Sequence, residues 1–250
     1  MTGSRIVEAT FEELRITSAL TRLDDGVLVR VPHAITEAER AAYVAGVYRG
    51  KPEWTNNFDG LQFTLGRAWY THLEQDLADL YFERAAASDE LVEHTCPGLQ
   101  RHMLELTRTL LGDVATETRK RVSYCGAGVH VFPSNGYCAE KGGDVHFDTE
   151  GLTRSQLRQR KRAISVILML QPPREGGGLR VWDVRWDGSD ETTPAMLARP
   201  HATVEYAARD LVVIDSYSLH QIQPFAGDVD RVSATCHALE SEPGTWDVWF

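Results

Sequence analysis

Residues 144–148 read Asp-Val-His-Phe-Asp, and residues 231–239 read Arg-Val-Ser-Ala-Thr-Cys-His-Ala-Leu. Read as strands, each puts alternate side chains on one face: His146 with Asp148 in the first, Arg231 with Ser233 and His237 in the second. Around them the same β-rich character recurs in VSYCGAGVHVF (122–132), AISVILML (163–170), LRVWDVRW (179–186), ATVEY (202–206), DLVVID (210–215) and HQIQPF (220–225). Turn chemistry separates these runs at Pro133-Ser134-Asn135-Gly136, at Pro172-Pro173 with Gly176-Gly177-Gly178, and at Ala226-Gly227-Asp228. Short β-rich runs at this spacing predict a sandwich or barrel.

Before residue 121 the character is different. Thr36 to Val47 and Gln75 to Ala86 interleave Ala, Leu, Glu and Arg at helical spacing, and Gly98 to Leu111 ends at Gly112, a suitable C-terminal cap. The expectation is one domain over 1–250: a mostly helical cover over 1–120 packed on a β core over 121–250. The chain is long enough for one sizeable core, and no apolar run reaches the roughly 20 residues that a bilayer span needs.

Several function classes are disfavoured by composition. A net charge of −10 argues against a phosphate-tracking surface, so no nucleic-acid partner is expected. Cys96, Cys125, Cys138 and Cys236 have no CxxC spacing, which argues against structural zinc and for free thiols. MTGSRIVEATFEEL at the N-terminus has no apolar run and carries early acidic residues, so no signal peptide is read there and the expected location is cytoplasmic. The basic run Arg158, Arg160, Lys161 and Arg162 is read as a solvated face, with a lid for an anionic substrate as the rival reading.

Two His-x-carboxylate pairs occur, His72-Leu73-Glu74 and His146-Phe147-Asp148. On a helix, positions i and i+2 diverge by about 200°, so the pair in the helical region is a poor chelate; on a strand both side chains share a face. A facial triad needs a third ligand and must leave positions open, and His220, opening a predicted strand, is the candidate. An arginine facing the inside of a barrel is costly unless it meets an anion, and Arg231 beside the Ser233 hydroxyl suits the far carboxylate of a dicarboxylic acid.

With these motifs in this order, the sequence from about Val122 to Leu239 resembles the 2-oxoglutarate and iron(II)-dependent oxygenases, in their prolyl 4-hydroxylase-like branch. The resemblance rests on Ser134-Asn135-Gly136-Tyr137, the His146-x-Asp148 strand, Arg162-Ala163-Ile164-Ser165, Glu175-Gly176-Gly177-Gly178-Leu179, Leu219-His220-Gln221-Ile222-Gln223-Pro224, and Arg231 with Ser233. Three features depart from it: the Gly-Tyr turn lies far from His146, an insertion spans Thr149 to Lys161, and arginine stands where the branch often has lysine. The resemblance implies a double-stranded β-helix, or jelly roll. It also implies Fe(II) held by His146, Asp148 and His220, with 2-oxoglutarate bound by Arg231 and Ser233. Molecular oxygen would be the oxidant, with oxidation of a C–H bond as the outcome and succinate and carbon dioxide as co-products. Some relatives halogenate when the carboxylate ligand is replaced by Gly or Ala; with Asp148 present, hydroxylation is implied.

Lesser candidates surround this set. Tyr124 and His130 share a strand parity and are read as possible co-substrate contacts, with ordinary core packing as the alternative. His237 is read as a satisfied core histidine. Trp54, Asn56, Asn57, Arg67, Trp182 and Trp186 are read as pocket walls or as packing. The leading expectation is a hydroxylase of a small molecule such as an amino acid or natural-product scaffold. The alternatives are desaturation, cyclisation or epimerisation at the same centre, and a metal-binding barrel without turnover.

Overall fold

The computed structural model describes residues 5–112, 117–120 by their backbone, and 124–250. Its helices are α1 (Phe11–Leu23), α2 (Glu37–Arg49), α3 (Trp69–Glu74), α4 (Ala78–Thr95), α5 (Leu99–Leu111), α6 (Tyr137–Lys141), α7 (Arg154–Arg158) and α8 (Pro194–Leu197). The first eight strands are β1 (Ile6–Glu8), β2 (Leu28–Val31), β3 (Thr55–Asn57), β4 (Gln62–Leu65), β5 (Glu117–Lys120), β6 (Gly128–Phe132), β7 (Ala163–Gln171) and β8 (Glu175–Gly176). They are followed by β9 (Leu179–Arg185), β10 (His201–Val204), β11 (Leu211–Asp215), β12 (Ser218–Ile222), β13 (Phe225–Ala226), β14 (Arg231–Glu242) and β15 (Thr245–Trp249).

The large sheet runs β1-β2-β11-β7-β14-β6-β4-β3, with β15 paired to β14 and β5 to β15. Facing it is a small sheet, β10-β9-β12. The segment carrying His146 adds to the free edge of β12, although it is not a regular strand. It is anchored by Gly143 N to Ile222 O at 2.9 Å, a reciprocal pair between His146 and His220, and Asp148 N to Ser216 O at 2.9 Å. A Cβ on Gly142 would stand 2.7 Å from the Ile222 carbonyl, and its φ of +84° is one that L side chains avoid, so glycine permits this approach.

Strand alternation divides the side chains between two environments. On β14, Val232, Ala234, Cys236 and Ala238 join the main apolar core, whereas Arg231, Ser233, Thr235 and His237 line a cavity between the sheets. Likewise, β7 sends Ile164, Val166 and Leu168 to the core and Ser165 and Ile167 to the cavity. The helices cover the outer face of the large sheet: Leu14 of α1, Val47 of α2, Val92 of α4, and Leu99, Met103 and Leu110 of α5 are buried in that core. Between the sheets, Leu28, Met169, Leu179, Val181, Val204, Val212 and Ile214 form a second apolar cluster that closes one part of the barrel.

The predicted barrel with a helical cover is observed. The region before residue 121 carries more than cover, however: β1 and β2 extend one edge of the large sheet and β3 and β4 the other. These strands are three or four residues long, too short to show a period, and they are held by longer partners such as β11 and β6. Helix α1 was also not anticipated, though Thr10 and Glu13 form a capping box at its start. The predicted α2 has the same device at Thr36 and Glu39. The predicted run from Val122 shortens to β6; Val122 and Ser123 lie outside the described residues. Among those residues, no helix is long and apolar enough to cross a membrane.

Candidate metal centre and its cavity

His146, Asp148 and His220 offer one ligand atom each, all within 4.8 Å of one another. Asp148 Oδ1 lies 3.4 Å from His146 Nε2 and 3.6 Å from His220 Nε2. The backbone orients both rings: His146 Nδ1 is 2.9 Å from the Asp144 carbonyl, and His220 Nδ1 is 3.0 Å from the Ser218 carbonyl. A carbonyl only accepts, so each Nδ1 carries a proton and each Nε2 faces Asp148; in the neutral ring that Nε2 offers a lone pair to a metal, whereas in protonated His146 it donates to Asp148. Two imidazole nitrogens and one carboxylate, with cavity on the open side, could hold a metal ion and match the donor types of non-haem iron(II) sites.

The charges favour a cation at this point. His220 is pushed down to about 4 by burial, against the pull of Asp148. At His146 burial acts in the same downward direction, but the hydrogen bond and charge of Asp148 outweigh it and take the group up to about 9. The difference follows the contact with Asp148: His146 is hydrogen-bonded to it, whereas His220 feels only its charge and is opposed by His146 and His237. Asp148 is held well below the usual carboxylate range, because the surrounding histidines overcome its burial.

Behind Asp148 lies a polar network. The Ser165 hydroxyl donates to Asp148 Oδ2, and Ser165 Oγ is also 3.2 Å from Ser216 Oγ and 3.0 Å from His237 Nδ1. Burial pushes the His237 imidazole down. His237 is thus hydrogen-bonded, as expected of a core histidine, and it also faces the cavity.

At the other pole of the same cavity stands Arg231, 2% exposed. Its Nε donates to the Gly177 carbonyl at 3.1 Å and its Nη1 to Ser233 Oγ at 3.4 Å. Gly177 has a φ of +73°, and a Cβ there would meet Pro173 Cγ at 2.6 Å. The guanidinium lies between the rings of Tyr206, 5.2 Å away, and Phe132, 5.6 Å away. Among the described residues no carboxylate pairs with it, and the buried Tyr206 hydroxyl beside it has no hydrogen-bond partner. A buried guanidinium with spare donors and an orphaned hydroxyl at its side fit an anionic ligand group.

The remaining candidates divide. His130 lines the cavity, 7% exposed, beside the Phe250 ring at 4.8 Å, with a buried Nδ1 that has no partner among the described residues. Burial holds its ring neutral, pushed down to about 3. Tyr124 does not line the cavity; it packs against Trp69, Phe82 and Trp249, and of these four Trp249 reaches the cavity wall. Position 124 precedes the start of β6, so strand parity does not extend to it. Trp54 packs on Tyr48 and Phe63, Asn57 donates to Thr64, and Arg67 meets His72 at 2.8 Å, all away from the cavity. Trp182 is buried with Phe147 and Leu219, and Trp186 lies under Arg160. The exposed run at Arg158, Arg160 and Arg162 is the solvated face expected.

Cavity residues that the sequence did not single out include Phe58, Gln62, Tyr70, Glu74, Glu150 and Tyr206. Glu74 carried a signal, as half of the discarded His72 pair. The helix separates the two as expected: His72 is 3% exposed and bonded to the Ala68 carbonyl, while Glu74 reaches the cavity.

No protein-family profile matches the chain. The L-gamma-glutamyl-L-propargylglycine hydroxylase of Streptantibioticus cattleyicolor is 31% identical over 88 residues, covering 32% of this chain and a third (33%) of that protein. Among solved structures, the epimerase SnoN in complex with Fe3+, alpha-ketoglutarate and nogalamycin RO superposes with a TM-score of 0.57 at 17% identity, covering 92% of this chain and 85% of that one. A prolyl hydroxylase from Trichoplax adhaerens, in complex with a hypoxia-inducible factor peptide fragment, gives 0.53 at 13% identity, covering 90% and 88%. The fold is that of the 2-oxoglutarate and iron(II)-dependent oxygenases.

Proposed function

We propose that this chain, built on the oxygenase fold, is a 2-oxoglutarate-dependent non-haem iron dioxygenase that hydroxylates an unactivated C–H bond of a small molecule. The observation that carries this reading is the pairing, within one cavity, of a His-Asp-His donor set with a buried arginine that has no carboxylate partner among the described residues. A metal-binding scaffold needs only the first of these. The cavity volume is about 450 Å³, within the range of small-molecule sites, and it must take the co-substrate together with the reacting part of the substrate.

His146, Asp148 and His220 would hold Fe(II), which when bound supplies the oxidising chemistry that couples decarboxylation of 2-oxoglutarate to C–H oxidation. The protein's own residues supply placement. Arg231, Ser233 and Tyr206 would hold the distal carboxylate of 2-oxoglutarate through charge-assisted and neutral hydrogen bonds. Phe132 and Tyr206 flank the guanidinium and keep water from that pole, which strengthens the ion pair. Ser165 fixes Asp148 from behind, so that Oδ1 is the atom turned to the two imidazoles. His130, a neutral ring with a free nitrogen, adds a hydrogen-bonding group on the wall between the poles.

The test is anaerobic addition of Fe(II) and 2-oxoglutarate to the purified protein, read by visible absorption. A charge-transfer band is expected; its absence would favour a scaffold without turnover. A screen of candidate metabolites for succinate formation above background, with mass spectrometry of the products, then identifies the substrate. The same products separate hydroxylation from desaturation or epimerisation.

A further inference from the structure

The hydrogen bonds behind Asp148 determine where the proton of His237 sits. Both oxygens of the Asp148 carboxylate only accept, so the single Ser165 hydroxyl proton goes to Oδ2. Ser165 Oγ then has only lone pairs to offer its other neighbours, and His237 Nδ1, 3.0 Å away, must be the donor. Ser216 Oγ, at 3.2 Å, can donate to the second lone pair. A neutral imidazole protonated at Nδ1 has a bare lone pair at Nε2. That ring lines the cavity, and among the described residues Nε2 has no hydrogen-bond partner.

We propose that His237 is a substrate-orienting residue whose Nε2 accepts a hydrogen bond from a hydroxyl, amide or ammonium donor on the substrate, with Ser165 fixing the tautomer. The proposal rests on the oxygenase reading for the identity of the cavity, but the tautomer itself does not. His237 is set six residues beyond Arg231 on the same face of β14, so co-substrate clamp and substrate contact share one rigid strand. Glu74, Asp144 and Glu150 line the same cavity. A substrate that brings donors therefore meets acceptors there.

The experiment is long-range 1H–15N correlation NMR of histidine-labelled protein with Zn(II) and 2-oxoglutarate, which binds without turnover. The His237 signals are assigned by their loss in His237→Phe. The wild-type ring is expected to be protonated at Nδ1 alone, and Ser165→Ala should return it to the Nε2–H form. A wild-type Nε2–H or doubly protonated ring, or a tautomer unmoved by Ser165→Ala, would overturn the assignment. Propylammonium, which has N–H donors, should shift the Nε2 resonance, and tetramethylammonium, which has none, should not; equal responses would overturn the substrate contact. On a substrate found by the succinate screen, His237→Phe should raise KM about three- to tenfold, the contribution of one hydrogen bond, with KM for 2-oxoglutarate unchanged. A parallel rise in both would reduce His237 to shaping the metal site. Because the NMR measurement uses Zn(II), it can fail while succinate forms, and it can succeed while no succinate forms.

Discussion

His146 and His220 hydrogen-bond to each other through the backbone in both directions, N to O at 3.1 and 3.0 Å, and it is this pairing that brings their rings to one carboxylate. The geometry of the proposed ligand set thus depends on main-chain contacts that a side-chain truncation leaves in place. His146→Ala and His220→Ala are each expected to abolish succinate formation while the thermal unfolding transition is retained. Undiminished succinate production in either variant would remove that residue from the ligand set.

Arg231 is expected to set the 2-oxoglutarate requirement. Removing one partner of a buried ion pair typically costs about 3 to 5 kcal/mol, or roughly a hundred- to a few-thousand-fold in affinity. Arg231→Ala should raise the half-saturating co-substrate concentration by that order. Tyr206→Phe, which deletes one neutral hydrogen bond, should raise it about three- to tenfold. Titration of the Fe(II) charge-transfer band with 2-oxoglutarate measures both, and an unchanged midpoint in Arg231→Ala would move the clamp elsewhere.

Metal binding should strengthen with rising pH. In the metal-free protein the His146 imidazole is taken up to about 9, above the roughly 6.5 of an unfolded chain. Its stabilising contact with Asp148 is therefore fully present below about pH 6.5 and is lost as the pH climbs through 9. A metal needs the neutral ring, so proton and metal compete over that window. Isothermal titration with Co(II) at pH 6.5 and pH 8.5, in buffers of differing ionisation heat, should show tighter binding at the higher pH and proton release at the lower. Identical affinities with no proton release would contradict the His146–Asp148 coupling.

Gly46 inverts an ordinary helix rule. In an exposed helix, replacing glycine by alanine stabilises by about 0.5 to 1 kcal/mol, but a Cβ on Gly46 would stand 2.2 Å from the Thr95 carbonyl and 2.8 Å from Cys96 Sγ. Here α2 meets the end of α4 backbone to backbone, with no slack. Gly46→Ala is expected to destabilise by about 1 to 3 kcal/mol, the usual range for overpacking, and to lower the thermal midpoint. An unchanged or raised midpoint would show that the two helices separate freely.

What the sequence made legible follows the range of each signal. Alternation along residues 231–239 was readable because β14 is one long strand with a core face and a cavity face, so Arg231, Ser233 and His237 fell on one side. The His146 segment was readable for a different reason: it is extended and paired with β12 even though it is not a regular strand. Tyr124 was misplaced because parity was carried back past the start of β6. Glu74, Tyr70 and Tyr206 reach the cavity only through tertiary packing of α3 and of the stretch after β10, and no local period announces that. His237 carried its parity in the sequence, but its role needed Ser165, 72 positions away, to be seen at hydrogen-bond distance.

Halide chemistry is the sharpest test of Asp148. In the oxygenases that this sequence resembles, halogenation accompanies loss of the carboxylate ligand, whose place a halide takes. Here Asp148 Oδ1 lies 3.4 and 3.6 Å from the two Nε2 atoms, and Oδ2 is held from behind by Ser165, so the carboxylate is pinned in the position that a chloride would need. Its negative charge also opposes an anion there. Wild-type product formed in excess chloride or bromide is therefore expected to contain hydroxyl and no halogen. Asp148→Gly should lose most oxygenase activity, and opening that position is necessary for halide entry without being sufficient, because contacts behind the ligands also tune the site. Mass spectrometry of the wild-type product in excess halide decides the matter: a halogenated main species would overturn the assignment of Asp148 as a metal ligand.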